Sequence, residues 1–243
     1  MVDYLILFGV GCVAGFMNVM AGGGSTLSLP ALIFLGLDGA VANGTNRVAI
    51  FLQNIAAVSS FQQENKYEFG SILRMVLWTL PGAVIGALVA VRISNELFEI
   101  VLGVIIIGVI LSLAVPRKNV NLNLAPKHPK LIYPALFLLG FYGGFIQVGV
   151  GFLFMAAFTY ILRMDLVRVN MHKVFIIFFY TMPALAVFAW TDNIYLPFGL
   201  SLAAGNATGG WWAAKLSIRR GEKVIRMVLY ATAIVMAIKL IFF

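Results

Sequence analysis

Charged residues are scarce in this 243-residue chain and make up only 11% of it. A soluble domain carries about 25% charged residues, so too few are present here to cover a water-facing surface. Apolar residues make up 62% of the sequence, and the mean hydropathy is +0.99. Residues 1–61 contain just three charged side chains, Asp3, Asp38 and Arg47. The sequence therefore predicts an integral membrane protein and not a soluble one.

Cysteine and histidine are also rare, with one cysteine and two histidines. Because Cys12 has no second thiol to pair with, an intrachain disulfide is excluded. Two histidines and one cysteine cannot form an ordinary structural zinc site. The sequence has no HExxH, no GxSxG and no phosphate-binding loop with lysine. We therefore predict that the protein is not an enzyme and that it holds no metal and no cofactor.

Apolar runs of about 20 residues divide the chain, and this is the length that crosses about 30 Å of hydrocarbon. Two shorter apolar runs, 26–36 and 152–162, each follow a glycine cluster and predict short, re-entrant helices. About eight long spans are predicted, at 3–20, 40–61, 70–91, 96–115, 131–148, 169–190, 197–216 and 224–242. The predicted fold class is an all-α, multi-pass membrane protein.

Glycine motifs recur in the same order in the two halves of the chain. Motifs of the GxxxG type let helix backbones approach closely in lipid. They lie at Gly11–Gly15 and Gly140–Gly144, then at Gly82–Gly86 and Gly205–Gly209. Matching polar residues accompany them, so we predict an internal duplication.

The predicted repeats are residues 1–115 and 131–243, joined by a linker at 116–130. The linker carries four basic residues and no acid, and 215–223 carries four basic residues and one acid. Placing both basic segments in the cytoplasm requires an odd number of crossings between equivalent points of the repeats. This predicts inverted repeats with both termini outside, a design in which transporters hold their substrate near the midplane.

The densest polar signal is the segment NVMAGGGSTLSLP, which begins at Asn18. Its glycines permit a sharp helix break, and Ser25 or Thr26 is suited to cap the next helix. Lipid cannot satisfy the N–H groups freed at such a break, and with the helix dipole they attract an anion. The alternative is a kink that only lets two helices pack tightly. The predicted anion-binding residues here are Asn18, Gly22, Gly23, Gly24, Ser25 and Thr26.

The second repeat contains a related segment, GFIQVGVGFLF, from Gly144 onwards. The break is retained in Gly149 and Gly151, and Gln147 aligns with Asn18. Serine and threonine are replaced by apolar residues, so the two segments are unequal. The second is therefore either a binding segment or a structural one, and its predicted anion-binding residues are Gln147, Gly149 and Gly151.

Two cations lie near the start of long apolar segments, Arg47 in the motif NGTNR and Lys173 in the motif NMHK. A cation buried in a span is costly unless it is paired or hydrated, and an anionic substrate is one possible partner. The alternatives are a snorkelling side chain or a pair between Arg47 and Asp38 that holds helices together. The predicted binding residues of the two motifs are Asn43, Thr45, Asn46, Arg47, Asn170, His172 and Lys173.

At these motifs the sequence resembles the sulfite exporter TauE/SafE family, also called the toluene-sulfonate uptake permeases. The resemblance covers essentially the whole chain. It implies a secondary transporter, with export as the expected direction, for sulfur-containing anions such as sulfite or organosulfonates in the inner (cytoplasmic) membrane. The residues that carry it are Gly15-x2-Asn18-x2-Ala21-Gly-Gly-Gly24 followed by Pro30, Asn43-Gly-Thr-Asn46-Arg47, and Pro81-Gly82-x3-Gly86.

From the residues alone, we expect a small-anion carrier that works by alternating access of two inverted halves around a midplane site. Few acids lie within the spans, so transport driven by the anion gradient and the membrane potential is expected rather than a carboxylate proton relay. The expected partners are a small anion and the lipid bilayer, not nucleic acid, and a homo-oligomer is left open. An anion channel and a non-transporting scaffold or assembly factor stay open as alternatives.

Overall fold

The computed structural model describes residues 1–63, 69–114, 125–126 and 128–242, so most of the predicted linker at 116–130 lies outside the described residues. The described residues form ten α-helices and a 3₁₀ turn, without a strand. The predicted first repeat contains α1 (Val2–Met20), α2 (Ser25–Phe34), α3 (Gly39–Gln63), α4 (Phe69–Ala90) and α5 (Asn95–Ala114). The second supplies α6 (Ile132–Phe145), α7 (Val150–Leu162), α8 (Leu166–Trp190), α9 (Leu196–Arg220) and α10 (Glu222–Phe242).

The helices follow the predicted segments, with α2 and α7 as the two short ones. Three stretches of the described chain are long and apolar enough by themselves to cross a membrane: Val2–Met20, Ile72–Ala90 and Leu166–Trp190. Helices such as α3 and α9 bury polar residues, which lower their hydropathy. An all-helical architecture is therefore established, and eight full spans stay a prediction.

Both predicted helix breaks are present. Between α1 and α2 the chain turns at Gly22, whose φ is +94°, a backbone conformation that glycine adopts without steric cost. Between α6 and α7 it turns at Gln147 and Gly149, whose φ angles are +63° and +69°. Each break therefore ends one helix inside the protein and starts a short one.

The expected side-chain cap of α2 is wrong. The N-cap residue is Gly24, which has no side chain to accept a capping hydrogen bond. Thr26 instead donates its hydroxyl to the carbonyl of Gly23, at 2.6 Å. The Ser25 hydroxyl is buried and makes no hydrogen bond among the described residues.

The glycine motifs of the two repeats pair crosswise. Helix α1 packs against α9, and α4 packs against α6. A Cβ atom at Gly15 would collide with the backbone of Asn206, and one at Gly144 with the backbone of Ala83. Each close helix pair therefore takes one motif from each repeat.

This packing forms two bundles. We call α1, α2, α3 and α9 the first bundle, and α4, α6, α7 and α8 the second bundle, because α3 also packs on α9 and α8 on α4. The bundles meet where α3 contacts α8, and there the rings of Phe51 and Phe178 stack with centroids 5.4 Å apart. Each bundle thus contains one helix from the opposite sequence repeat.

The contacts also fix the helix directions. The hydroxyl of Thr45 accepts a hydrogen bond from the N–H of Tyr195, near the starts of α3 and α9. Further along both helices, Ser60 donates to the carbonyl of Trp211, so α3 and α9 run in the same direction. Asn170, at the start of α8, contacts the last turns of α9 instead. Helices α3 and α8 are therefore antiparallel.

The two ends of the bundle pair differ in charge. At one end lie the start of α8 and the end of α9, and at the other lie the starts of α3, α5 and α9. The first, which we call the basic end, carries Arg163, Arg168, Arg219, Arg220 and Lys223 with the acids Asp165 and Glu222. The second, which we call the acidic end, carries Asp38, Glu96, Glu99 and Asp192 with the base Arg92.

Candidate functional site

The two helix breaks contact each other directly. A Cβ atom on either Gly22 or Gly151 would collide with the backbone of the other. Beside this contact lies a cavity of about 10 Å³, which is roughly enough for one water molecule. The cavity is lined by Asn18, Gly22, Ser25, Ile50, Gln53, Asn54, Gln147, Val150, Gly151, Lys173, Val174 and Ile177.

Asn18 organises the first break and one wall of the cavity. Its Oδ1 accepts from the N–H of Gly24, 2.9 Å away, and its Nδ2 donates to Oε1 of Gln53 at 3.2 Å. On the second break, Nε2 of Gln147 donates to the hydroxyl of Thr181 at 3.3 Å. Gln147 therefore lies in the second break, whereas Asn18, its counterpart in the sequence, lies in the last turn of α1 and binds the first break.

The ammonium group of Lys173 is fully buried and binds the end of α1. Its Nζ atom donates to the carbonyls of Asn18 and Val19, at 3.2 and 2.8 Å, and to Oδ1 of Asn170 at 2.8 Å. Nδ2 of Asn170 lies 3.4 Å from the carbonyl of Met20. The last carbonyls of a helix lack helical partners and carry the negative end of its dipole, so a cation is stabilised there. We call Lys173 and Asn170 the Lys173 cap.

Arg47 makes the matching arrangement on α6, and it too is fully buried. Its guanidinium donates to the carbonyls of Gly143 and Gly144, at 3.0 and 2.5 Å, and lies 4.7 Å from the ring centroid of Phe188. Nδ2 of Asn43 donates to the carbonyl of the last residue of α6, at 2.7 Å. These contacts, rather than a pair with an aspartate, hold Arg47. We call Arg47 and Asn43 the Arg47 cap.

Other predicted site residues lie outside the cavity wall and make contacts elsewhere. Thr45 holds the turn before α9 through Tyr195. Oδ1 of Asn46 accepts from the hydroxyl of Ser28 at 2.7 Å, which fastens α2 to α3. Nδ1 of His172 lies 2.8 Å from a backbone carbonyl one turn earlier in α8.

The structure divides the predicted residues by their place relative to the cavity. Six line it: Asn18, Gly22, Ser25, Gln147, Gly151 and Lys173. The rest lie outside its wall: Gly23, Gly24, Thr26, Asn43, Thr45, Asn46, Arg47, Gly149, Asn170 and His172. Anion binding by any of them stays a prediction.

Sequence reasoning left out two polar lining residues, Gln53 and Asn54. Both are polar residues inside an apolar run of α3, about two turns after Arg47, and this position was the signal that could have identified them. Nδ2 of Asn54 donates to the carbonyl of Ile50 at 2.8 Å. Over the part of the chain that the structure describes, no group of three His, Cys, Asp or Glu residues is placed to hold a metal ion.

Comparison with known proteins agrees with the resemblance read from the motifs. The sequence profile of the family described as Sulfite exporter TauE/SafE matches residues 7–240. A "Probable membrane transporter protein ORF9" of Sinorhizobium sp. is 26% identical over 241 residues, which is 97% of this chain and 91% of the relative. A "Probable membrane transporter protein" of Haemophilus influenzae is 26% identical over 239 residues, covering 98% and 94%.

A more distant relative, "Probable membrane transporter protein YunE" of Bacillus subtilis, is 23% identical over 267 residues, covering 99% of this chain and 98% of its own length. No solved structure matches the chain significantly. The profile match spans nearly all of the chain, and the relatives are named as membrane transporters. The chain therefore belongs to the sulfite exporter TauE/SafE family of multi-pass membrane transporters.

Proposed function

We propose that the protein is a secondary transporter that exports small sulfur-containing anions, such as sulfite or organosulfonates, across the inner membrane by alternating access. The observation that carries this proposal is the cavity between the two helix breaks. Its wall contains the ammonium group of Lys173 and neutral amides and a hydroxyl, and no acid lies among its lining residues. A site with one positive charge, several neutral donors and no carboxylate favours an anion.

Two helix N-termini add to this preference. Helix α2 starts at Ser25 and helix α7 at Val150, and both residues line the cavity. The positive ends of both helix dipoles are therefore close to it, where they stabilise negative charge. The apolar residues Ile50, Val174 and Ile177 form the remaining wall and keep the local dielectric low, which strengthens each electrostatic contact.

The cavity holds about one water molecule, and an oxyanion of sulfur is larger than that. Substrate binding therefore requires the two bundles to separate on one side. In this proposal the structure represents a closed state between two open ones. The bundles, rather than the two sequence repeats, are the bodies that move.

Helix directions support inverted repeats, a common basis of alternating access in transporters. Helices α3 and α8 occupy equivalent places in the two repeats and run antiparallel. The pairing of α1 with α9 becomes the pairing of α6 with α4 when the repeats are exchanged. Positive residues favour the cytoplasm, so we assign the basic end and the linker at 116–130 to the cytoplasm and both termini to the outside.

The test is transport in proteoliposomes that contain the purified protein and internal sulfite or a short alkylsulfonate. Efflux is expected to saturate with concentration and to be stimulated by the anion on the opposite side. Linear, unsaturated flux would instead indicate a channel, and the absence of flux of every anion with a folded protein would indicate a scaffold.

The Lys173→Met variant is expected to lose this flux, and the exposed Lys223→Met on the basic end serves as its matched control. Both variants remove one positive charge, but only Lys173 lies in the cavity wall. If the Lys173→Met variant shows saturable efflux at the wild-type rate, the anion binds elsewhere.

A further inference from the structure

The two capping clusters join the two bundles. Lys173 belongs to α8 in the second bundle and binds the end of α1 in the first. Arg47 belongs to α3 in the first bundle and binds the end of α6 in the second. Among the described residues, these are the buried cations that bind across the boundary between the bundles. Lys173 reaches from the second bundle to the first, and Arg47 reaches from the first to the second. Separating the bundles at either place requires breaking one cap.

The caps lie on opposite sides of the contact between Phe51 and Phe178. The stacked rings of Phe51 and Phe178 mark the level at which α3 and α8 cross. Arg47 and Lys173 precede these rings by four and five residues, or about 6 and 7.5 Å along each helix axis. Because α3 and α8 are antiparallel, Arg47 lies towards the acidic end and Lys173 towards the basic end. The cavity lies between them.

The chemistry of the caps makes them suitable for repeated opening. Their hydrogen bonds go to backbone carbonyls and an amide oxygen, none of which carries a full charge. A buried cation needs polar partners at this depth, but water that enters from one end replaces neutral carbonyls readily. Each cap is therefore stable in the dry, closed arrangement and is released when an aqueous path reaches it.

We propose that the two caps are the two gates of the transport cycle, an inference that rests on the proposed alternating access. The Lys173 cap closes the cavity towards the basic end, and the Arg47 cap closes it towards the acidic end. Both are closed in the structure. Opening one while the other holds exposes the cavity to one side of the membrane, with the Gly22–Gly151 contact at the centre of the movement.

The gates differ in how they sense the substrate. Lys173 lines the cavity and Arg47 does not. An anion in the cavity attracts the Lys173 ammonium and competes with the carbonyls of Asn18 and Val19 for it. Substrate therefore loosens the gate at the basic end directly, whereas it reaches the gate at the acidic end only through movement of the bundles.

The test measures from which side a reporter cysteine in the cavity wall is reached. In a Cys12→Ser background, Ile50→Cys is labelled by a membrane-impermeant maleimide in right-side-out and in inside-out vesicles. Lys173→Met is expected to raise labelling from the basic-end side only, and Arg47→Met from the acidic-end side only. A state that rises from about 1–10% of the population to the dominant one raises the labelling rate about 10- to 100-fold.

The conservative variants Lys173→Arg and Arg47→Lys keep a donor at each cap and are expected to return labelling towards the background level. Milder variants guard against misfolding. Asn43→Ala removes one hydrogen bond from the Arg47 cap, and Asn170→Ala removes two from the Lys173 cap, the bond from Lys173 and the bond to the carbonyl of Met20. Asn170→Ala is expected to raise labelling from the basic-end side, as Lys173→Met does, and Asn43→Ala from the acidic-end side, as Arg47→Met does. A gain from the same side for both caps, equal gains from both sides, or unchanged labelling would overturn the proposal.

The labelling result is independent of the transport result. Side-specific labelling in a protein that moves neither sulfite nor an alkylsulfonate in proteoliposomes would contradict the proposed substrates but support the gates. Saturable transport together with side-independent labelling would support the function and contradict the gates.

Discussion

Gly22 and Gly151 meet backbone to backbone, and they come from the helix breaks of different repeats. Neither position has room for a Cβ atom, because the other glycine occupies that space. Gly22 also has a φ of +94°, which side-chain-bearing residues rarely adopt. The contact therefore fixes both breaks at the same depth, next to the cavity that they line.

Adding a methyl group at this contact is expected to destabilise the fold. Overpacking costs about 1–3 kcal/mol, so Gly151→Ala should lower the melting temperature in detergent. Gly22→Ala should lower it further, because the unfavourable φ adds about 1–3 kcal/mol. The measurement is thermal unfolding of the purified variants, followed by tryptophan fluorescence.

Two glycines provide the controls for this prediction. Gly36 has a φ of +92° and open space around it, and Gly9 is helical with open space. Gly36→Ala reports the backbone strain alone, and Gly9→Ala should be nearly neutral. If Gly22→Ala unfolds at the same temperature as Gly36→Ala, the two breaks do not touch as described.

Asn46 is expected to stabilise the protein without binding the anion. Its partner is the buried hydroxyl of Ser28, 2.7 Å away, and it does not line the cavity. A double-mutant cycle of Ser28→Ala and Asn46→Ala should give a coupling of about 1 kcal/mol in the free energy of unfolding. Anion-dependent thermal stabilisation should be the same in the wild type and in Asn46→Ala. Loss of that stabilisation in Asn46→Ala would show that Asn46 contributes to anion binding.

Gln53 is expected to contribute to anion affinity. Its amide lines the cavity and lies 3.2 Å from the amide nitrogen of Asn18. Gln53→Met keeps the length of the side chain and removes the polar group. Because a hydrogen bond to a charged group contributes about 1.5–3 kcal/mol, the concentration of anion for half-maximal thermal stabilisation should rise about 10-fold or more.

The matched control for this substitution is Gln62→Met on the same helix, where the side chain is exposed. It should leave the anion dependence unchanged. Equal effects of the two variants would mean that Gln53 acts through the general stability of α3.

The basic end is expected to face the cytoplasm. In a Cys12→Ser background, Asp192→Cys should react with an impermeant maleimide on intact cells, and Arg220→Cys should react only after permeabilisation. Both positions are exposed at opposite ends of the protein. The positive-inside rule is the physical basis of this prediction. The reverse pattern would invert the assigned orientation and also exchange the sides of the two proposed gates.

Local sequence features predicted the helices and their breaks well. Run length and glycine act on the nearest residues of the chain, so α2 and α7 and the turns at Gly22 and Gly149 were visible without coordinates. Matching motifs in the two halves indicated the duplication. The family resemblance rested on the same motifs and is confirmed by the profile match over residues 7–240.

The roles of the buried cations were not accessible from sequence. Arg47 and Lys173 bind the carbonyls at the ends of α6 and α1. Because every residue has a backbone carbonyl, the sequence does not indicate which carbonyls bind a cation. The crosswise pairing of glycine motifs was hidden for a similar reason, because any such motif is able to pack against any other.

The sequence by itself determined that this protein is helical, belongs in a membrane and breaks two helices at glycines, since these properties depend on composition and neighbouring residues. Only the tertiary structure decided which polar residues face the cavity and which fasten helices together. That choice depends on which faces of distant helices meet, and residues 22 and 151 or 47 and 143 are brought together only by packing.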